Sequence, residues 1–542
     1  MKKHYVSFIA GHCGLKDWQI ENCVLMFEDG STIPFISRYR KEKTGGMDDA
    51  QVAEVKHWAD VFAEMEKRKE TVVGAIEAAG ALTDELRRTI EKCVSSTELE
   101  DIYLPYRPKR RTRATVAKEL GLEPLADTMW NVRTTDPKAS AAKYVGDKVA
   151  SVDDALSGAR DIIAERLSET ATIREKLRAA YRNRRVVSTV TKAAKDNPEA
   201  DKYRSYFNFS MPISRIPAHN LLAMLRAENE GFLGLSIDAD PQRCADDIYY
   251  TFCREHGHPS PALAGEIKMA SEDAFDRLLD PSITNSVIKE AKQKADIESI
   301  RVFGDNLRQL LLSAPVGQKR TMAIDPGFRN GCKIAVLDGH GELLHHTIIY
   351  PHPPQSEKVK ALIAVQEMLD KYKIEAVAIG NGTASRETED FMKKVSLPEG
   401  CKVWTVSEDG ASIYSASEVA RKEMPDQDVT VRGAVSIGRR LMDPLAELVK
   451  IDPKNLGIGQ YQHDVDQALL KEKLDNTVES CVNSVGVNLN TASPYLLAYV
   501  SGIGPSLAEN IVAYRNANGG FTSRAKLLKV PRLGAKAFEQ CA

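Results

Sequence analysis

Two glycines one residue apart, Gly502 and Gly504, sit in the stretch LAYVSGIGPSLAENIVAYR at residues 497–515, between two segments with helical apolar spacing. Glycine adopts the left-handed backbone that a tight turn needs and leaves room for a phosphate to approach. A helix starting just after such a turn presents unpaired N–H groups and the positive end of its dipole to an anion. The spacing therefore predicts helix, hairpin, helix, with backbone donors at Ile503 and Gly504. The unit recurs. Residues 523–541 laid under 493–511 match Leu527 to Leu497, Val530 to Val500, Gly534 to Gly504 and Glu539 to Glu509. A tandem helix-hairpin-helix module is expected, and such pairs grip nucleic-acid backbones without reading bases.

Charge supports that chemistry locally. Residues 486–542 carry Arg515, Arg524, Lys526, Lys529, Arg532 and Lys536 against Glu509 and Glu539, a balance of +4. The candidate phosphate-binding set is Gly502, Ile503, Gly504, Lys526, Lys529, Arg532, Gly534 and Lys536. In the second copy Arg532 replaces the first glycine and follows Pro531, so that copy either binds less well or packs the first. The chain ends at Ala542, inside what should be the second copy's second helix.

A second basic stretch, YLPYRPKRRTR at residues 103–113, sets Tyr103 and Tyr106 beside Arg107, Lys109, Arg110, Arg111 and Arg113. Pro105 and Pro108 break helix, which places the cations on an extended loop. Two readings stand: tyrosines stacking on bases while the cations neutralise phosphates, or a solvated loop pairing with helix carboxylates. A shorter basic run spans residues 38–41.

Carboxylates at strand ends raise a third chemistry. Asp325 closes an apolar strand and Asp443 stands in RRLMDPL, as two ligands of a two-metal nuclease would. Where resolvases of the matching fold place a Glu, this chain has Asn381, with Glu408 or Asp409 open as a substitute. The structural alternative has Asp325 capping a turn and Asp443 a helix N-terminus. Cys253, His256 and His258 fit no standard metal spacing, and no metal or cofactor is expected.

The elements that must position these residues follow from periodicity. The first 310 residues or so read as helix almost throughout, with few strand signals. From residue 319 the pattern changes to three hairpin-linked strands (320–324, 333–337, 343–350), a helix (356–371), a strand (376–379), a helix near 385, a strand (403–406), and helices from 411. That is the order of a ribonuclease-H-like fold. The expected layout is multidomain and mainly α: a helical N-terminal region at 1–318, an α/β ribonuclease-H-like domain at 319–452, a helical linker at 453–485 and the hairpin module at 486–542. The net charge of −2 excludes a global basic field. Nine cysteines without a C-x-x-C exclude a disulfide framework, and neither a signal peptide nor a membrane span is read, so the chain is expected in the cytoplasm.

The sequence resembles the bacterial Tex family, transcription accessory proteins with a YqgF-type ribonuclease-H-like domain. The resemblance rests on IPFISRYRK with TGG (residues 33–46), LEDIYLPYRPKRRTR (99–113), DPGFR (325–329), IGNGTASRE (379–387) and GQYQHD (459–464), in order along nearly the whole chain. It implies a layout similar to a eukaryotic elongation factor, and a helix-turn-helix-like element around residues 15–40. It also implies binding of nucleic acid, chiefly single-stranded RNA and also DNA, near the transcription or translation machinery. Such proteins end in an OB-fold domain that this chain lacks, so a C-terminally truncated member is expected. The resemblance further implies a YqgF domain without nuclease action, in keeping with Asn381. The function expected is a nucleic-acid-binding transcription accessory scaffold and not an enzyme. The alternative is a metal-dependent nuclease or resolvase using Asp325 and Asp443.

Overall fold

In the computed structural model, which describes residues 1–542 apart from Lys109, Arg110, Asp196 and Ala542, helices begin at the polar caps their sequences offer. Ser151 accepts from the Asp154 amide at 3.1 Å and starts the helix Val152–Glu169. Ala155, Ala159, Ile162, Ile163 and Leu167 recur on its buried face. Gly158 lets Leu122 lie against that helix, since a Cβ there would stand 2.4 Å from Leu122 Cδ1.

The described chain divides into two compact units, residues 1–17 with 55–298, and residues 18–54 with 299–542. In the first, helices Val152–Glu169, Ala171–Tyr181, Pro241–His256 and Pro261–Asp273 share one apolar core. It also holds a small antiparallel sheet where helix was expected almost throughout: β1 (Arg185–Val190), β2 (Ser210–Pro212) and β3 (Leu233–Ile237), in the order β2-β1-β3. Val186, Val187, Thr189 and Val190 make β1 a natural strand. Its partners lie far along the chain, with Val187 opposite Ser210 and Val186 opposite Ile237, so no hairpin turn marks the sheet in sequence.

The second unit contains the expected ribonuclease-H-like sheet. Strands β4 (Thr321–Asp325), β5 (Cys332–Leu337) and β6 (Leu343–Ile349) form an antiparallel meander, and β7 (Ala376–Gly380) and β8 (Lys402–Val406) add in parallel, giving β6-β5-β4-β7-β8. The central strands are apolar because both faces are covered. Ile324, Ile334, Val377 and Ile379 are buried beneath the helix Lys358–Tyr372, each contributing roughly 1.5–3 kcal/mol relative to exposure. Val429–Met442 packs against β4 and β5, where Gly438 lies so close that a Cβ would meet Leu337 Cδ1 at 2.6 Å.

Candidate nucleic-acid interface

The hairpin module is built from two backbone copies of one turn. Gly502 has φ 76° and Arg532, thirty positions on, has φ 69°. Gly504 (φ −85°, ψ 173°) and Gly534 (φ −85°, ψ 171°) then N-cap the helices Pro505–Asn518 and Ala535–Gln540. Each hairpin is closed alike: Ile503 donates its N–H to the Val500 carbonyl at 2.9 Å, and Leu533 to that of Val530 at 3.2 Å. Ile503 and Leu533 then bury their side chains in one shared core with Ala508, Ile511, Phe521 and Leu527.

This corrects the donor set read from sequence. The Ile503 amide is used inside the turn, and Pro505 has no N–H. Gly504 and Ser506 are the amides at the start of the longer helix without a partner among the described residues. Asn483, which sequence reasoning missed, supports the turn by donating to the Tyr499 carbonyl at 2.8 Å and accepting from the Ser501 amide at 2.9 Å.

The six cations divide by role. Arg515 donates to the carbonyls of Leu489 (2.9 Å) and Ala492 (2.8 Å), and Arg524 lies over the Phe538 ring at 4.1 Å. Lys536 donates to the Asp29 carbonyl, where the loop after the helix Asp17–Glu28 meets the module. On the same seam Gln540 donates to the Gly30 carbonyl at 3.0 Å, Thr32 bonds Ser501, and Arg40 pairs with Glu539. Lys526, Lys529 and Arg532 keep side chains without a partner among the described residues, and the last two are exposed.

The second basic stretch lies in the other unit and is held from below. Asp101 is buried between Arg174 and Arg178, at 2.7 Å from each. Tyr103 is only 9% exposed, in a core with Val72, Ile76, Ile90 and Leu99, and Arg68 covers its ring at 5.4 Å. Tyr106 packs on the same core. The Tyr103 ring is therefore not free to stack on a base as the first reading requires, and Tyr106 is half-buried. Of the cations, Arg107 is exposed, Arg111 pairs with Glu119 at 3.1 Å on the surface, and Arg113 opens a helix capped by Thr112. Lys109 and Arg110 lie outside the described residues.

At the carboxyl end of β4 the neighbours of Asp325 are Lys333, its cross-strand partner with Nζ at 3.4 Å, and Glu408. Glu408 folds over the backbone of residues 380–382, where a Cβ on Gly382 would overlap its carboxylate. Its amide donates to Asn381 Oδ1 at 3.0 Å. Burial raises the pKa of both carboxyls, and at Glu408 the Asp325 charge adds to the rise. Asp443 is elsewhere. It caps the helix Pro444–Leu448 through the Ala446 amide at 3.0 Å, and the preceding Leu441 and Met442 carbonyls accept from Val316 and Gly317, before β4 begins. The nuclease pairing of Asp325 with Asp443 therefore does not form. Among the described residues no group of three or more His, Cys, Asp or Glu could hold a metal ion. The two metals of a ribonuclease-H site do not fit a donor set of two carboxylates with an ammonium between the strands.

Four family models match in order: the Tex-like protein N-terminal domain at residues 3–77, the Tex central region at 132–303, the Tex protein YqgF-like domain at 319–442 and a helix-hairpin-helix motif at 482–542. The transcriptional accessory protein Tex of Neisseria gonorrhoeae is 44% identical over 539 residues, covering 97% of this chain and 69% of that protein. This chain belongs to the Tex family. Protein YhgF of Escherichia coli K12 is 46% identical, over all of this chain and 71% of its own length. The human S1 RNA-binding domain-containing protein 1 is 34% identical over 99% of this chain and 55% of its own length. Within the Tex frame, the seam on the hairpin module is made by residues 29–40, part of the N-terminal match, and by the C-terminal motif. No local sequence signal marks that pairing.

Proposed function

We propose that this Tex-family chain is a non-enzymatic scaffold that binds nucleic acid, RNA first and DNA as well, in association with transcription. The observation that carries the reading is the duplicated hairpin, whose two turns share backbone angles and present Gly504, Ser506, Lys526, Lys529 and Arg532 outward. Backbone amides and unpaired cations bind phosphate without reading sequence. The setting proposed is the cytoplasmic transcription or translation apparatus; the name of the gonococcal relative supports the transcription part alone. Arg107, Lys109, Arg110, Arg111 and Arg113 add a weaker electrostatic contact.

Equilibrium binding of single-stranded RNA, single-stranded DNA and duplexes, each in two unrelated sequences, tests this. Affinities that differ between strand forms but not between sequences are expected. Discrimination between sequences by more than about tenfold, on the scale of base-specific readers, would overturn it. Incubation with magnesium or manganese, alongside Asp325→Asn, should leave RNA, duplex DNA and four-way junctions intact. Cleavage that vanishes in the variant would restore the enzyme reading.

A further inference from the structure

In the Tex central region the helices Ala171–Tyr181 and Pro241–His256 leave between them a cleft of about 320 Å³. Its floor is apolar, with Leu177 and Ile248 buried. Its rim carries Lys176, Arg184, Arg243 and Arg254 against a single carboxylate, Asp247. None of the four cations makes an ion pair among the described residues, whereas Arg174, Arg178 and Arg182 of the neighbouring turns are paired with Asp101 or Glu290. Lys176 reaches across to Thr251 Oγ1 at 3.1 Å. Arg243, Asp247, Tyr250 and Arg254 recur at helical spacing along one face, and Tyr250 is 62% exposed, far above what a ring packed for stability shows.

Unpaired cations around an apolar floor attract an anion that also has an apolar part. A volume of this size holds about one nucleotide, and an open tyrosine ring can stack only on a base that has left its pair. We propose that this cleft is a second nucleic-acid contact, specific for single strands. Arg243, Arg254, Arg184 and Lys176 hold consecutive phosphates and Tyr250 carries an unpaired base. Asp247, which repels phosphate, accepts from a sugar hydroxyl or a base amine. This contact rests on the nucleic-acid-binding reading but shares no residue with the hairpin module, so either contact can fail without the other.

The full chain is irradiated with a single-stranded RNA carrying 5-iodouridine, and adducts are mapped by mass spectrometry. Binding is then measured across salt for Tyr250→Ala and for Arg243→Glu with Arg254→Glu, with melting temperatures as the check on folding. An adduct at Tyr250 is expected. Tyr250→Ala should lose at least about fivefold in single-strand affinity, and the double variant should lower the salt slope by about 1.4, with duplex binding unchanged. No adduct in the segment 241–256, together with unchanged affinity and slope in folded variants, would overturn the proposal. Displacement of the strand by micromolar mononucleotide would also overturn it, in favour of a free-nucleotide pocket.

Discussion

Arg532 occupies a left-handed backbone position that its counterpart in the first hairpin gives to glycine. An L-residue there costs roughly 1–2 kcal/mol, and glycine would return part of that gain through the roughly 0.5–1 kcal/mol of extra freedom it has when unfolded. Arg532→Gly should therefore leave the melting temperature within a few degrees or raise it, while nucleic-acid affinity falls. A variant that binds as the parent does would show the side chain to be incidental. Glu479 supplies a pH test. Burial first, then the Asp49 charge, raises its pKa from 4.5 to about 7. The folded state thus holds this proton more tightly than the unfolded chain, and its stabilisation is fully present below about pH 4.5 and lost as pH rises through 7. Glu479→Gln should match the parent's melting temperature at pH 4.5 and exceed it at pH 8. An offset independent of pH would contradict the assignment.

Among the elements, the buried Asp101–Arg174–Arg178 group anchors the helix Ser96–Tyr103 that leads into the basic loop. Removing the carboxylate leaves Arg174 buried without a carboxylate partner and Arg178 with only Glu290 at 3.9 Å, and breaking such a group costs about 3–5 kcal/mol. Asp101→Ala should lower the midpoint of urea unfolding by that equivalent, and a shift below about 1 kcal/mol would show that water replaces the carboxylate. The same elements show what could be read from sequence. The repeat of Gly504 in Gly534 was visible because two helix starts at fixed spacing need the same residue, and the alternating strands and helices from residue 319 carried their own periodicity. The β1 sheet, the seam of residues 29–40 on the hairpin module and the proximity of Glu408 to Asp325 were not visible. Each joins residues far apart in the chain, and nothing local distinguishes Tyr103 in a core from a tyrosine ready to stack. The carboxyl end of β4 was half visible: Asp325 and the neutral Asn381 could be named, and of the two roles open to Asp443 the structure shows the helix N-cap and not the second ligand.

Across the whole molecule, a net charge of −2 means that phosphate binding must come from patches in which cations lack partners. No described helix is long and apolar enough to cross a membrane. Many Lys and Arg are committed to carbonyls, rings or carboxylates, so counting basic residues overstates the binding surface: three of the module's six cations remain open. The central claim is that these three, with the helix N-terminus, form the main grip on the phosphate backbone. It is tested most directly by the slope of log affinity against log salt for single-stranded RNA, in the parent and in Lys529→Glu with Arg532→Glu. Two lost phosphate contacts should flatten the slope by about 1.4 and weaken binding equally for all sequences. An unchanged slope and affinity in the folded double variant would contradict the account.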